Sequence, residues 1–282
     1  MFEHHAFQSS SHSPIANILT IAGSDSGGGA GIQADIKAIS ATGSYACSVI
    51  TALTAQNTRG VTGIYSISAE FIAQQLDAVF TDIDIAAVKI GMLNDCNVIK
   101  VIAEKLKQYQ PKYVVLDPVM VATSGDPLIQ TSAIQTLQNE LFPLVSVITP
   151  NLPEAALLIG GEVPTNEADI DAFIMKLLQH QPLSNVNILL KGGHFSGENS
   201  HDWLVTKGAI QTFSHKRIFT QNTHGTGCTL SSAIASYLGQ GYPLEQAIHL
   251  AKIYLSDALS KADMLNVGNG SGPVHHFYHL SS

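Results

Sequence analysis

Short apolar runs, each stopped by glycine or a polar residue and followed by a stretch with helical spacing, recur along this chain. That alternation restricts the fold more than any other feature. NILTIAG (17–23) is a buried-strand pattern ended by glycine. AGIQADIKAISATG follows at helical spacing and stops at Gly43. CSVITALTAQ (47–56) is β-branched and reads as the next strand. Ser68 caps a helix that puts Phe71, Ile72, Leu76, Val79 and Phe80 on one face. AAVKIGM is a strand, and Val98, Ile99, Ile102 and Leu106 mark the helix after it. YVVLDPVM (113–120), SVITPNLPEAALLIG and NILLKGG continue the series. VSVIT and NILLK are apolar on both faces, as parallel strands covered by helices must be.

At least six such βα units with short links predict an α/β fold. The expected architecture is a three-layer α/β/α arrangement, a mostly parallel sheet with helices on both faces. HDWLVTKGAIQTF breaks the pattern: it reads as two strands around Lys207-Gly208, an antiparallel edge hairpin. The 282 residues are enough for one large domain or two small ones, and no linker divides them, so 15–282 is expected to be a single domain. Residues 1–14, MFEHHAFQSSSHSP, lack the basic region and apolar run of a signal peptide and read as a flexible N-terminal arm. A 45% hydrophobic, 13% charged composition suits much buried strand. A net charge of −8 without a basic run argues against a nucleic-acid partner. No apolar run is long enough to span a bilayer, so no membrane is expected. Cys47, Cys96 and Cys228 form no C-x-x-C pair and fit reduced, cytoplasmic thiols. The pairs His4–His5 and His275–His276 read as solvated termini rather than metal ligands.

Ligands of such sheets bind beyond the carboxyl ends of the strands. The polar residues after each apolar run should therefore converge: Gly23 to Gly31, Gln56, Lys89 to Met92, Asp117, Thr149 to Glu154, Lys191 to His194, and Gly225 to Cys228. GSDSGGGAG is not a dinucleotide fingerprint, since the third glycine of G-x-G-x-x-G falls on Ile32. A phosphate loop of the Gly-Lys-Ser/Thr kind is also absent, because no lysine precedes serine or threonine. The glycine loop holds a small ligand closely or is a plain tight turn.

NTHGTGCTLSSAIASYL opens a helix whose apolar residues are Leu230, Ala233, Ile234, Tyr237 and Leu238. The first N–H groups of a helix lack internal partners and its dipole is positive there, so Gly225, Thr226 and Gly227 suit an anion hole for a transferring phosphoryl group. A cysteine at that position has its pKa lowered from about 8.5. Cys228 could then take a proton from an attacking alcohol; the alternative is a buried structural thiol. Asp117 and Glu154 are acids placed where a metal-bound phosphate would lie, and Mg²⁺ is held by one or two carboxylates plus phosphate oxygens. Both could equally be cap or surface acids. Lys191 could meet phosphate as a point charge, or be a solvated strand end. An acid pair, a lysine and an anion hole on one rim make phosphoryl transfer the best single account.

IAGSDSGGGAGIQAD, ITALTAQNT, KIGML, VLDPVM, ITPNLPEA, LKGGH, NTHGTGCTLSSAIA and GPVHHF together resemble the hydroxymethylpyrimidine/phosphomethylpyrimidine kinases of thiamine biosynthesis, in the ribokinase-like superfamily. The likeness runs from about Asn17 to Phe277. It implies ATP-dependent phosphorylation of 4-amino-5-hydroxymethyl-2-methylpyrimidine to its monophosphate and then its diphosphate, with ATP and Mg²⁺ required and a homodimer as the assembly. By position, Gly23, Asp35, Gln56, Met92 and Val119 resemble the pyrimidine pocket. Asp117, Thr149, Asn151, Glu154 and Lys191 resemble the ATP and magnesium side, and Gly225 to Cys228 the anion hole and base. Two departures stand out: most of the superfamily carries aspartate at the Cys228 position, and Ser26-Gly27 replaces a proline and serine common in the family. A pyridoxine or pyridoxal kinase is the close alternative, and Gln56 favours the pyrimidine. A non-catalytic binding protein for a nucleotide or vitamin precursor would leave Asp117 and Cys228 idle.

Overall fold

A computed structural model describes residues 14–93, 95–120, 131–193 and 195–280. Residues 1–13 of the expected arm, with His4 and His5, and His194 of the expected rim lie outside the described residues. The elements run β1 (Asn17–Ala22), α1 (Gly31–Ala41), β2 (Tyr45–Ile50), β3 (Ala52–Asn57), β4 (Gly60–Ser66), α2 (Ala69–Phe80), β5 (Ile85–Ile90), α3 (Cys96–Tyr109), β6 (Val114–Leu116) and α4 (Thr131–Thr136). Then follow β7 (Val147–Ile148), α5 (Leu152–Ile159), α6 (Ile170–Gln179), β8 (Ile188–Lys191), β9 (Asn199–Thr206), β10 (Ala209–Lys216), α7 (Thr226–Gly239) and α8 (Leu244–Ser260).

Eight strands form one sheet in the order β10-β9-β8-β7-β6-β5-β1-β2. Pairing is parallel from β2 across to β8 and antiparallel at β8–β9 and β9–β10. The expected edge hairpin is therefore present, turning at Lys207-Gly208. Strand alternation sorts the apolar side chains into two cores. Leu19, Ile21, Val88 and Leu116 pack with α2, α3, α5 and α6 on one face. Ile18, Ala87, Val115 and Leu189 pack with α1, α7 and α8 on the other. The sheet is thus sandwiched, as the apolar patterning of its strands requires.

Three local expectations change. The run 47–56 is two strands, not one. β2 ends level with β1 at the Ala22–Ile50 pair, and the chain then leaves the sheet as β3, which pairs with β4 in a separate two-stranded ribbon. β-branched composition marks a strand but does not say which sheet it joins. NILLKGG does not start a βα unit: β8 runs straight into the β9–β10 hairpin, although six strands, β1, β4, β5, β6, β7 and β10, lead into helices among the described residues. His276 is no solvated terminus: it is buried, with Nε2 2.9 Å from the Thr229 hydroxyl, and its carbonyl accepts the Tyr254 hydroxyl at 3.0 Å. Among the described residues no helix is long and apolar enough to cross a membrane.

Helix starts follow local chemistry. Ser68 accepts the Phe71 N–H at the head of α2, as its sequence position predicts. Asp95 accepts from Asn97 and Val98 to start α3. At α5, Asn151 and Glu154 each accept the other's backbone N–H at 2.8 Å, a reciprocal capping box.

Candidate active site

The chain order reverses between β1 and β5, and a cleft of about 730 Å³ opens there along the carboxyl ends of the parallel strands. Gly23, Gln56, Met92, Asp117, Val119, Asn151, Glu154, Lys191 and Gly225 to Cys228 all line it. Residues spread over most of the chain thus meet on one rim, as expected from their places after the strands.

At one end the β3–β4 ribbon contributes Thr54, Gln56 and Val61. A register shift between Ala55 and Gln56 locally re-aims the strand. Gly23 leaves the space that Met92 fills, since a Cβ there would lie 2.6 Å from the Met92 methyl. Asp35, expected on this wall, is not in it. Its carboxylate is fully buried and accepts Lys89 Nζ at 2.8 Å on both oxygens, the Ser232 hydroxyl at 2.7 Å and the Thr20 hydroxyl at 2.6 Å. Those donors satisfy it within the protein. A buried acid needs such partners more than it can serve a ligand.

At the other end Gly225, with φ of 81°, turns the chain into α7. The helix starts at Thr226, so Cys228 is its third residue. Gly227 lies against the charged floor: a Cβ there would be 3.3 Å from both Asp117 Oδ2 and Lys191 Nζ. Lys191 Nζ donates to Asp117 Oδ1 at 2.9 Å. Thr149, expected to line the nucleotide side, instead sits fully buried behind Asp117 and donates to the same oxygen at 3.0 Å. The Lys191 N–H donates to Pro150 and so ties β8 to the α5 cap that holds Glu154.

Burial pushes the Glu154 carboxyl up to about 7, against Lys191 and with help from Asp117. Burial works to lower Lys191, but the carboxylates of Asp117 and Glu154 outweigh it and raise the ammonium above its ordinary range. Cys228 departs from expectation. Burial pushes its thiol up to about 11, and Asp35 and Asp117 add to the rise against the opposing Lys89 charge and a hydrogen bond from the Gly31 backbone. The positive helix end does not outweigh the loss of water and two nearby carboxylates.

The stretches Gly23 to Gly31 and Lys89 to Met92 reach the rim as expected, but the partners of Lys89 and Asp25 within them escape the sequence reading. Lys89, one residue before the end of β5, is fully buried, and its charge faces Asp35. A lysine inside the otherwise apolar AAVKI was the available signal. Asp25 accepts the N–H groups of Gly27, Gly29 and Ala30 within 3.0 Å, pinning the glycine loop, and meets His224 Nε2 at 2.8 Å. Burial opposes it, yet His224 and those N–H groups hold the Asp25 carboxyl below its usual range. His224 and Lys252 line the cleft too, Lys252 paired with Asp202. Lys89, Lys191, Lys216, Arg217 and Lys252 all border this one cleft, and Lys89, Lys191 and Lys252 are paired with Asp35, Asp117 and Asp202. Among the described residues no cluster of three or more His, Cys, Asp or Glu is placed to hold a metal.

The family model described as phosphomethylpyrimidine kinase matches residues 25–275. The chain is 51% identical over 265 residues to the hydroxymethylpyrimidine/phosphomethylpyrimidine kinase of Escherichia coli K12, covering 93% of this chain and 97% of that one. Among solved structures it resembles a phosphomethylpyrimidine kinase from Clostridium difficile 630, with TM-score 0.74, 45% identity, and 86% and 99% of the two chains covered. It also resembles a Bacillus subtilis pyridoxal kinase solved with ADP, with TM-score 0.84, 32% identity, and 95% and 100% covered.

Proposed function

The chain belongs to the phosphomethylpyrimidine kinase family, and on that premise we propose how its cleft works. The protein is an ATP-dependent small-molecule kinase of the ribokinase-like fold. It phosphorylates 4-amino-5-hydroxymethyl-2-methylpyrimidine and then the resulting monophosphate, in thiamine biosynthesis. The observation that carries the site assignment is the meeting of Gln56, the Asp117–Lys191 pair and the Gly225–Cys228 helix start on one cleft.

Gln56 pairs with the amino group and ring nitrogen of the pyrimidine, and Met92 and Val119 supply apolar walls. The backbone N–H groups at the start of α7 receive the transferring phosphoryl group, whose charge grows on its outer oxygens. Lys191, held by Asp117, meets the same charge and follows it. Asp117 and Glu154 fit magnesium: both are hard oxygen donors on one wall, and Asp117 Oδ2 faces the Gly227 loop. When bound there, the ion would neutralise phosphate charge as the leaving group departs. Cys228 receives the alcohol's proton in its thiolate form. For a group titrating near 11, that form is on the order of 10⁻⁴ of molecules at pH 7, so the first transfer should speed up as pH rises. The second nucleophile is a phosphate monoester with a second pKa of about 6, already ionised, and needs no such base.

Leu53 and Tyr65 are cross-strand partners on the β3–β4 ribbon and remain 45% and 70% exposed. They offer an apolar surface to the homodimer that the family implies, and a cytoplasmic location belongs to the same proposal. The likeness to pyridoxal kinase makes pyridoxal the second substrate to examine. ADP release should be fast with the aminopyrimidine alcohol and its monophosphate and at least tenfold slower with pyridoxal. Comparable or faster turnover of pyridoxal would overturn the assignment.

A further inference from the structure

The amide of Gln56 has a polar neighbour at each end. Its Nε2 lies 3.5 Å from His224 Nε2, and its Oε1 lies 3.3 Å from the Thr54 hydroxyl oxygen. Neither pairing is complementary. His224 Nε2 is 2.8 Å from Asp25 Oδ2, and that carboxylate also accepts the N–H groups of Gly29 and Ala30. An ionised carboxylate only accepts, so His224 Nε2 carries the hydrogen. Thr54 has one hydroxyl hydrogen, which goes to the Ser24 carbonyl at 2.8 Å. Its oxygen therefore turns a lone pair toward Gln56. A half-turn of the amide exchanges its oxygen and nitrogen in place. The His224 N–H, whose hydrogen goes to Asp25, offers the amide no lone pair and its positive end favours oxygen beside it, while nitrogen donates to the Thr54 lone pair. Two independent neighbours call for the same orientation. The His224 ring has little freedom to change this, since it packs so close to Gly29 that a Cβ there would meet its Cδ2.

We propose that His224 and Thr54 are positioning residues that lock the Gln56 amide, so that its remaining edge offers an acceptor on the His224 side and a donor on the Thr54 side. This rests on the pyrimidine kinase reading above. The edge matches a ring bearing an exocyclic amino group beside a ring nitrogen. A 4-oxo ring carries the reverse pattern, a carbonyl beside an N–H. Turning that ring over would restore both hydrogen bonds but would carry the 5-hydroxymethyl group, which neighbours position 4, away from the His224 side. His224 directly precedes Gly225, so the amino side of the ring is also the side on which the phosphoryl-binding loop begins.

The test compares kcat/KM for the first phosphorylation of the 4-amino alcohol with that of 5-hydroxymethyl-2-methylpyrimidin-4(3H)-one, in wild type, His224→Phe and Thr54→Val. Asp25 keeps its three backbone donors in the first variant, and the second is nearly isosteric, so one remains informative if the other fails to fold. Wild type should prefer the amino ring by roughly 10³-fold or more, because a site built around a hydrogen-bond pattern rejects its inverse strongly. Each variant removes one of the two neighbours that orient the amide, and the preference should shrink at least about tenfold. Variants that lose rate on both rings equally, with the wild-type ratio intact, would reduce His224 and Thr54 to structural residues and overturn the proposal. A wild type that does not distinguish the rings would overturn it as well. A wild type inactive on the amino alcohol would instead refute the kinase reading itself, and this inference with it.

Discussion

Gly225→Ala is the perturbation whose consequence follows most directly from the coordinates. Gly225 has φ of +81°, and a Cβ there would stand 1.8 Å from the Gly29 carbonyl oxygen and 2.9 Å from its carbon. The backbone conformation alone costs alanine about 1–2 kcal/mol. The collision matters more, because both partners are backbone. Relieving a 1.8 Å contact to an ordinary 3.4 Å asks for about 1.6 Å of relative movement between the glycine loop after β1 and the start of α7. In the proposed mechanism those two segments hold the acceptor and the phosphoryl group. Misplacement of about 1 Å lowers rate by roughly 10²-fold, so kcat for both transfers should fall by at least that factor while the protein stays folded. Gly241→Ala is the control. Its φ of +94° imposes similar strain, but a Cβ there meets nothing within 4 Å. Coupled ADP release and thermal unfolding of both variants decide the matter. A folded Gly225→Ala enzyme with wild-type turnover would refute the reasoning that the spacing of these two segments sets the rate.

Lys89→Met leaves Asp35 buried with only the Thr20 and Ser232 hydroxyls as donors, which should cost about 3–5 kcal/mol in urea unfolding; adding Asp35→Asn should recover part of it, and simple additivity would mean the pair is uncoupled. Asp117→Asn should raise the magnesium concentration needed for half-maximal rate, and an unchanged titration would remove Asp117 as a metal contact. The two transfers should also differ in pH dependence. Cys228 titrates at about 11, so its thiolate fraction grows roughly tenfold per pH unit below that value. The first transfer should climb between pH 7 and 9 while the second stays level. Parallel profiles would count against the thiolate.

The sheet was readable because strands covered on both faces must be apolar throughout, as NILLK and VSVIT are. The rim was readable because position after a parallel strand is enough to place Gly23, Asp117 and Lys191 on one edge. What failed was anything decided by partners remote in sequence. Asp35 looks like any polar helix residue until Lys89, fifty-four positions on, is seen against it. Thr149 and Asn151 look alike in sequence, yet Thr149 is buried behind Asp117 while Asn151 caps α5 at the cleft. The Cys228 proton affinity depends on carboxylates and burial that no local motif reports, so the helix-start rule alone pointed the wrong way. The β3–β4 ribbon was missed because strand propensity is silent about pairing.

The most direct test of the central claim is the rate of each phosphorylation, measured separately in single turnover, for Cys228→Ala. With sulfur as the proton acceptor for the alcohol, the first transfer should fall by about 10²–10⁴-fold, the usual share of a general base, and the second by less than about tenfold, since its nucleophile is already anionic. Equal losses in the two steps would contradict the account and leave the thiol a packing residue at the start of α7.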